Sequence, residues 1–366
     1  MKSFEREVLI VGAGPAGICA AIEAGSAGCD VLVVDENERR GGQLPKQIHK
    51  FFGSSDHYAG LRGFEIATTL CQEADALGVE FWMNSVAFGI FPEGVGIVHN
   101  GKACLVKAKK VIVAAGGLEN SVAFPGSTLP GIMTAGAAQT FANVYRVLPG
   151  KRIAILGSGN VGLIVAYQLM QAGAEIVALI EKAKEVGGYA VHAAKLTRAG
   201  IPIMTNHVVL RAEGSGELER IVVAELDMDG KPAEGTEQTL DVDTLCIAVG
   251  MSPMSELVWQ AGAKFDYIEE FGGFVPLHDA NMETTVKDLY VAGDVTGVEE
   301  ASVAMEEGRL AGVSVSEALG KLEAGKAEEI RRAITKRISA LEDGSNRKAA
   351  RYKQLLDMKG VCDGEC

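Results

Sequence analysis

The stretch Val8–Glu36, VLIVGAGPAGICAAIEAGSAGCDVLVVDE, decides the fold. Its first four residues, Val8 to Val11, are apolar and predict a buried strand. Ile18 to Ala27 is small and helix-compatible, and Val31 to Val34 is a second apolar run that ends on Asp35 and Glu36. Between strand and helix, Gly12, Gly14 and Gly17 form G-x-G-x-x-G, interleaved with Ala13, Pro15 and Ala16. Each glycine has a mechanical role. Gly12 allows the tight turn, Gly14 lets a pyrophosphate approach the backbone, and Gly17 lets the helix pack close to the strand. The helix N-terminus offers N–H groups and partial positive charge to phosphates. Asp35 or Glu36 is placed to accept ribose hydroxyls. The glycines alone fit a turn in any α/β domain. With both strands, the helix and the acid in order, they point to a dinucleotide site.

Beyond the acid, Arg39–Leu44 reads RRGGQL. Two adjacent glycines fit either a surface turn or a backbone passing close to a ligand. On the second reading Gly42, Gln43 and Leu44 are candidate contacts, with Gln43 hydrogen-bonding a flat heterocycle. KQIHKFFGSSDHY follows, and its position would bring His49 near the reactive ring of a flavin. A lone histidine is more often structural than catalytic.

The chain has 366 residues, 48% apolar and 23% charged, with 45 glycines and a formal net charge of −13. That length allows two domains and a well-buried core. The acidity argues against nucleic acid or an anionic membrane as main partner. The early apolar run is broken by glycines and followed by Glu23, so it predicts neither a signal peptide nor a membrane span. The seven cysteines, Cys19, Cys29, Cys71, Cys104, Cys246, Cys362 and Cys366, are scattered and odd in number. This suits thiols in a reducing cytoplasm.

Further along, Leu61–Leu77 predicts an amphipathic helix, and Val79–Met83 and Ser85–Ile90 predict strands. Val86, early in the latter, is a candidate cofactor contact. Gly94–Asn100 and Ala103–Ala108 predict a ribbon turned by Asn100-Gly101. Val111–Gly117 is a separate apolar strand running into small residues, where Ala115 and Gly116 would let a cofactor lie against the backbone. Glu119–Gly136, with two Pro-Gly pairs, predicts a crossover between domains. A helix is expected from Ala137 to Val147.

The opening pattern then recurs. Arg152–Leu156 predicts a strand, Gly157, Gly159 and Gly162 repeat the glycine spacing, Val161–Ala172 a helix, and Glu175–Ile180 a strand ending on Glu181. Asn160 and Val161 fall at the start of this second helix. Two copies are far more specific than one, although a second copy can also be a relic with an empty site. Glu181 favours NAD, because a 2′-phosphate would face its charge; Lys182 and Lys184 pull the other way, and ATP or ADP also fits. Gly187–Gly200 predicts a helix, with His192 as a surface residue. Ile203–Ala212, Arg220–Asp227 and Leu240–Val249 predict strands. Leu289–Gly297, LYVAGDVTG, is an apolar strand ending in Gly293-Asp294. It would set a carboxylate beside the ribityl and phosphate portion of a flavin, with Ala301 and Ser302 close to it. Ile330, Ile334, Ile338 and Leu341 form a helical stripe that packs on the chain's own core or on a partner. Cys362 and Cys366 are either half of a ligand set or a frayed tail; a metal or cluster normally needs four ligands, so no metal site is expected.

In this order the motifs resemble the two-dinucleotide-binding-domain flavoproteins, such as thioredoxin reductase and ferredoxin–NAD(P) reductases, over roughly residues 5–320. The resemblance implies an α/β fold with two Rossmann-like, three-layer ββα domains. The FAD domain, 1–118 and 246–320, would be split by an inserted NAD(P)-type domain, 119–245, with 321–366 as a helical extension. That family's disulfide reductases use a cysteine pair, which neither Gly41–Gly53 nor the inserted domain before Cys246 carries. GGQLPKQIHKFFG, GGLENSVAFPGSTLPGIMTAGAAQT, GGYAVHAAKLTRAGIPI and AGDVTGVEEASVAMEEGRLAG are similar to the α subunits of dye-linked L-proline dehydrogenase, opine oxidase, hydroxyproline dehydrogenase and sarcosine oxidase. This implies an FAD-containing subunit of an amino-acid dehydrogenase complex, exchanging electrons with NAD(H), or with the flavin of a β-type subunit or a small iron–sulfur subunit. Many relatives carry a cysteine-rich iron–sulfur region; two cysteines here do not make a complete cluster. The alternatives are a free-standing NAD(P)H-dependent flavin reductase, or an electron-relay scaffold with ATP or ADP as structural ligand. Hydride transfer to a flavin requires no side-chain acid or base, so no catalytic residue is assigned.

Overall fold

The computed structural model describes residues 2–51 and 54–345. The chain divides into two compact units, one formed by the segments before Glu119 and after Met251, the other by Glu119–Met251.

The first unit opens with β1 (Lys2–Val11), α1 (Pro15–Ser26), β2 (Val31–Val34), α2 (Gly63–Ala76), β3 (Glu80–Trp82), β4 (Ser85–Phe91), β5 (Gly94–His99) and β6 (Lys102–Val113), and β7 (Gly117–Glu119) leads out of it. Its sheet runs β3-β2-β1-β6-β5-β4. The first four strands are parallel, and β5 and β4 are antiparallel additions. Asn100 and Gly101 turn the hairpin with φ of 49° and 71°, a two-residue turn whose twist matches the strands. β6 is one strand of 12 residues where two were expected. Lys109 and Lys110 do not break it, because β1 pairs alongside and Glu7 and Asp288 meet the two ammonium groups. β1 likewise starts at Lys2, six residues before its apolar run.

The second unit contains β8 (Ile132–Thr134), α3 (Ala135–Gln139), β9 (Arg152–Leu156), α4 (Asn160–Gln171), β10 (Glu175–Ile180), α5 (Ala190–Arg198), β11 (Ile203–Met204), β12 (His207–Glu213), β13 (Arg220–Glu225), β14 (Gln238–Asp241) and β15 (Thr244–Ile247). A parallel sheet, β11-β10-β9-β15-β8, lies beside an antiparallel one, β12-β13-β14. Four expectations change. Leu240–Val249 is two strands in two sheets, split at Val242–Asp243. Ile203–Ala212 breaks at Asn206, whose φ is 58°. The helix from Ala137 is only α3 followed by a wider turn over Thr140–Val144. Helix α5 starts at Ala190, leaving Gly187 and Gly188 in a loop.

β16 (Met251–Pro253) leads back, followed by α6 (Glu256–Gln260), β17 (Phe265–Ile268), β18 (Gly273–Pro276), β19 (Leu289–Val291), α7 (Ala301–Ala318) and α8 (Ala324–Ser345). Cys246 belongs to β15 in the second sheet, so the return falls after Met251 rather than at 246. β19 pairs in parallel with the end of β6.

The two faces of the first sheet bury different partners. On one, Val8, Ile10, Val31 and Val33 pack with α1, α2 and α7. On the other, Leu9, Val11, Leu32 and Val34 meet Val95, Ile97 and Val106 of the antiparallel strands. This is the helix–sheet–ribbon layering of the ββα class. On α8, Ile334 is wholly buried in the helical-face core and Ile330 and Ile338 pack against it, so the stripe covers the chain's own core. Among the described residues no helix is long and apolar enough to cross a membrane, and no cluster of histidine, cysteine and carboxylate side chains could hold a metal ion. Cys362 and Cys366 lie outside the described residues.

Candidate functional site

The glycine turn after β1 is shaped by contacts that leave no choice at two positions. Gly12 has φ 110°, and a β-carbon there would collide with the Ala114 carbonyl oxygen. One at Gly17 would collide with the Gly12 carbonyl oxygen. Gly14 differs. Its backbone is extended (φ −79°, ψ −176°) and the nearest atom to an added β-carbon is Gly42 Cα at 3.9 Å. No packing contact in the protein requires glycine there. Pro15 takes the first position of α1, where no intrahelical N–H bond is lost. Ala16 is buried beside it.

The acid closes on this turn. The Ala13 amide donates to Asp35 Oδ2 at 2.7 Å, and Asn37 donates twice to Oδ1 at 2.8 Å, through its amide and its side chain. Asp35, not the exposed Glu36, makes this contact. The Gly41 amide donates to the Ala13 carbonyl at 2.8 Å, and a β-carbon on Gly42 would lie 2.8 Å from Gly14 Cα. The double glycine therefore lies directly on the finger. Gln43 next to it is exposed, and Leu44 is buried in the helical-face core. His49 stacks on Phe51 with ring centres 5.7 Å apart. Val86 is 45% exposed, one residue after Ser85, whose amide donates to the Asp35 carbonyl. Ala115 and Gly116 follow Ala114, whose amide bonds to the Val11 carbonyl at 2.7 Å.

The late Gly293-Asp294 pair reaches the same place. A β-carbon on Gly293 would lie 2.8 Å from the Ala16 side chain. Helix α7 crosses α1 at close range: β-carbons on Gly308 and Gly312 would strike the carbonyls of Ala16 and Ala20. The spacing Gly308-x-x-x-Gly312 was the sequence signal for this crossing. Burial pushes Asp294 up to about 6, against a hydrogen bond from the Glu299 amide. Ala301 and Ser302 form the first turn of α7, with Ser302 buried.

Sequence reasoning missed Glu307. It accepts from the Gly293 amide at 2.8 Å and the Thr296 hydroxyl at 3.0 Å, fixing the Gly-Asp turn. Burial, reinforced by the charge of Glu299, pushes it up to about 8.

The second finger repeats the first. Gly157 has φ 108°, and its β-carbon would strike the Ala248 carbonyl; Gly162 packs against the Gly157 carbonyl; an added β-carbon at Gly159 meets nothing within 4 Å. Asn160 opens α4 and accepts from the Tyr189 amide at 2.8 Å, while Val161 is 44% exposed. Glu181 Oε2 takes both the Ser158 amide (2.8 Å) and hydroxyl (2.6 Å), and Oε1 takes the Ala183 amide (2.8 Å). His192 is buried at 6% exposure rather than on the surface, and burial pushes it down. Cys246 is wholly buried and its thiol is pushed up to about 12. It is inert as a nucleophile at neutral pH.

The sequence profile of the pyridine nucleotide-disulphide oxidoreductase family matches residues 6–308. An opine oxidase subunit from Agrobacterium tumefaciens (strain Ach5) is 28% identical over 84% of this chain and 65% of its own length. The α subunit of sarcosine oxidase from Corynebacterium sp. (strain P-1) is 30% identical over 86% of this chain and 33% of its own. The chain thus spans between a third and two thirds of these relatives. Among solved structures, thioredoxin reductase from T. acidophilum superposes with a TM-score of 0.71, at 22% identity over 86% of this chain and 99% of that one. L-Proline dehydrogenase from P. horikoshii gives 0.68, at 24% identity over 91% of this chain and 59% of that one.

Proposed function

We propose, on the premise that the chain belongs to the pyridine nucleotide-disulphide oxidoreductase family of FAD-dependent oxidoreductases, that it is the FAD-bearing subunit of an assembly that oxidises a secondary amino acid of the proline, hydroxyproline, sarcosine or opine kind. The relatives named as subunits of opine and sarcosine oxidases support the class of assembly. The observation that carries the reading is Gly14, a glycine that no packing demands, at the focus of a finger, an acid and a double glycine.

In this reading Gly12 to Gly17 and the first amides of α1 hold the diphosphate, and Asp35 takes the ribose. Val86 borders the adenosine half. Gly42, Gln43, Leu44 and His49 border the flavin ring, together with Ala115 and Gly116 and with Ala301 and Ser302. Asp294 accepts from the ribityl chain, and Gly293 lets that chain pass. When bound, FAD supplies the hydride- and electron-accepting chemistry. The protein's work is orientation: Glu307 and Thr296 lock the Gly-Asp turn, so that Asp294 meets the ligand without rearrangement.

The second finger takes NAD(H) or another adenine nucleotide through Gly157, Gly159, Asn160, Val161, Gly162 and Glu181. Electrons leave the flavin either to this nucleotide or to the flavin or iron–sulfur centre of a partner subunit. Anaerobic mixing of the FAD-loaded chain with NADH separates these routes. Rapid bleaching of the flavin band supports the nucleotide route. Tight FAD without bleaching by NADH or NADPH supports the partner route. A preparation that refuses added FAD refutes the reading.

A further inference from the structure

The two fingers share more than glycine spacing. In each, an acid ends the second strand and binds the amide that follows the first glycine: Ala13 to Asp35 at 2.7 Å, Ser158 to Glu181 at 2.8 Å. In each, the second oxygen of the acid takes the amide two residues on, from Asn37 and from Ala183, both at 2.8 Å. In each, a double glycine follows the acid at the same offset of six and seven residues, Gly41-Gly42 after Asp35 and Gly187-Gly188 after Glu181. And in each, that pair folds back on the finger. The Gly188 amide donates to the Ser158 carbonyl at 2.8 Å, and a β-carbon on Gly188 would lie 2.7 Å from Leu163 and 2.9 Å from the Asn160 amide nitrogen.

Among other differences, the copies differ at the residue that follows the first glycine. Ala13 of the first finger is Ser158 in the second, with no exposed surface. Its hydroxyl donates to Glu181 Oε2 at 2.6 Å and accepts from the Gly187 amide at 3.0 Å. It thus ties the acid to the double glycine, a link the first finger lacks. A carboxylate offers about four acceptor positions. The Ser158 amide and hydroxyl fill Oε2 and the Ala183 amide takes half of Oε1. One position remains, suited to a single ribose hydroxyl and repelling a phosphate.

We propose that Ser158 is a positioning residue for the second nucleotide. It holds Glu181 and the Gly187-Gly188 flap in one arrangement that selects an adenosine 5′-diphosphate moiety with a free 2′-hydroxyl. This rests on the reading of the second finger as a nucleotide site, and deepens it. NAD, ADP and ATP share that moiety; NADP does not.

The test is calorimetric titration of the FAD-loaded full chain with NAD+, ADP, ATP and NADP+, in wild type and Ser158→Ala. Loss of a hydrogen bond to a charged acceptor weakens binding about tenfold or more. The expected result is a loss of that size for the 2′-hydroxyl nucleotides and a smaller one for NADP+, so that discrimination shrinks. The flavin band stays unchanged. If NADH bleaches the flavin, its half-saturating concentration rises while the limiting rate holds, a split that a general loss of structure would not give. ADP binding as tightly as NAD+ limits recognition to the shared moiety; tighter NAD+ adds the nicotinamide half. Unchanged affinity in Ser158→Ala, or wild type binding NADP+ as tightly as NAD+, overturns the proposal. Should Ser158→Ala not fold, Glu181→Gln must raise NADP+ affinity relative to NAD+, and failure to do so overturns it equally. Those failures leave the second site standing; uptake of none of the four nucleotides by FAD-loaded wild type removes the site as well.

Discussion

Gly14→Ala and Gly17→Ala change the same atom three residues apart, and they separate a ligand requirement from a folding requirement. At Gly17 the new methyl has no room: the Gly12 carbonyl occupies its position on one side and Ile10 Cγ2 lies 3.4 Å away on the other. Neither is a flexible chain end. Overpacking of this kind costs about 1–3 kcal/mol and sometimes more, so Gly17→Ala loses stability whether or not FAD is present. At Gly14 the methyl meets only Gly42 Cα at 3.9 Å, and the backbone is one any residue adopts. Exchanging glycine for alanine at a helix N-cap costs about 1 kcal/mol or less. The apoprotein of Gly14→Ala therefore unfolds in urea within about 1 kcal/mol of wild type. Its FAD affinity falls between about fivefold and a hundredfold, the equivalent of about 1–3 kcal/mol of misfit against the diphosphate. Urea unfolding of the apoproteins and fluorescence titration with FAD give both numbers. A Gly14→Ala protein that binds FAD as well as wild type refutes the assignment of this turn to a diphosphate. One as unstable as Gly17→Ala refutes the reading of the open position.

Other substitutions give separate checks. Glu307 and Asp294 are both pushed up by burial, to about 8 and about 6. The folded apoprotein then holds protons that the unfolded chain releases above about pH 4. The stability they contribute is complete below that pH and is lost as pH rises to about 8. Glu307→Gln should flatten that decline by on the order of 3 kcal/mol between pH 5 and 9 in urea midpoints; a profile parallel to wild type would contradict the burial argument. Glu306, with 1% of its side chain exposed, takes Arg337 of α8 through two bonds at 2.7 and 3.0 Å and His57 at 3.1 Å. Arg337→Leu takes from a buried carboxylate its charged partner, leaving His57, and should cost about 3 kcal/mol. Adding Glu306→Gln should recover part of it, as a double-mutant cycle would measure. Gly188→Ala has no space against Leu163 and Asn160; it should abolish uptake of the second nucleotide while FAD content by absorbance stays at wild-type level.

What the sequence made legible was whatever repeats or punctuates. Both fingers, both acids, the Asn100-Gly101 hairpin and the late Gly-Asp pair carry local signals, and each lies where its pattern put it. What it hid depends on a distant partner. Lys109 and Lys110 look like a strand end until Glu7 and Asp288 are in place to meet them. Leu240–Val249 is apolar throughout, and only pairing decides that its halves belong to different sheets. Glu307 gives no motif, because its role is to hold the amide of a residue 14 positions earlier. His192 carries no sign of the surroundings that bury it.

The double glycine of the second unit is a different case, because its signal was present and was masked by helix propensity. GGYAVHAAKLTRAG reads as a helix throughout, yet the helix begins only at Ala190. The two residues before Tyr189 repeat an arrangement already met after Asp35. An offset shared between two acids is more informative than the local propensity of either segment, since propensity describes one chain piece while a repeated offset describes a contact both pieces make. Applied in that order, the comparison places the Gly187-Gly188 pair on the second finger as the Gly41-Gly42 pair lies on the first. It also sets Ser158 against Ala13, giving the second finger a buried hydroxyl that the first does not have. If both fingers hold nucleotides as proposed, a difference between them is to be sought in that hydroxyl before it is sought in the exposed lysines that follow Glu181.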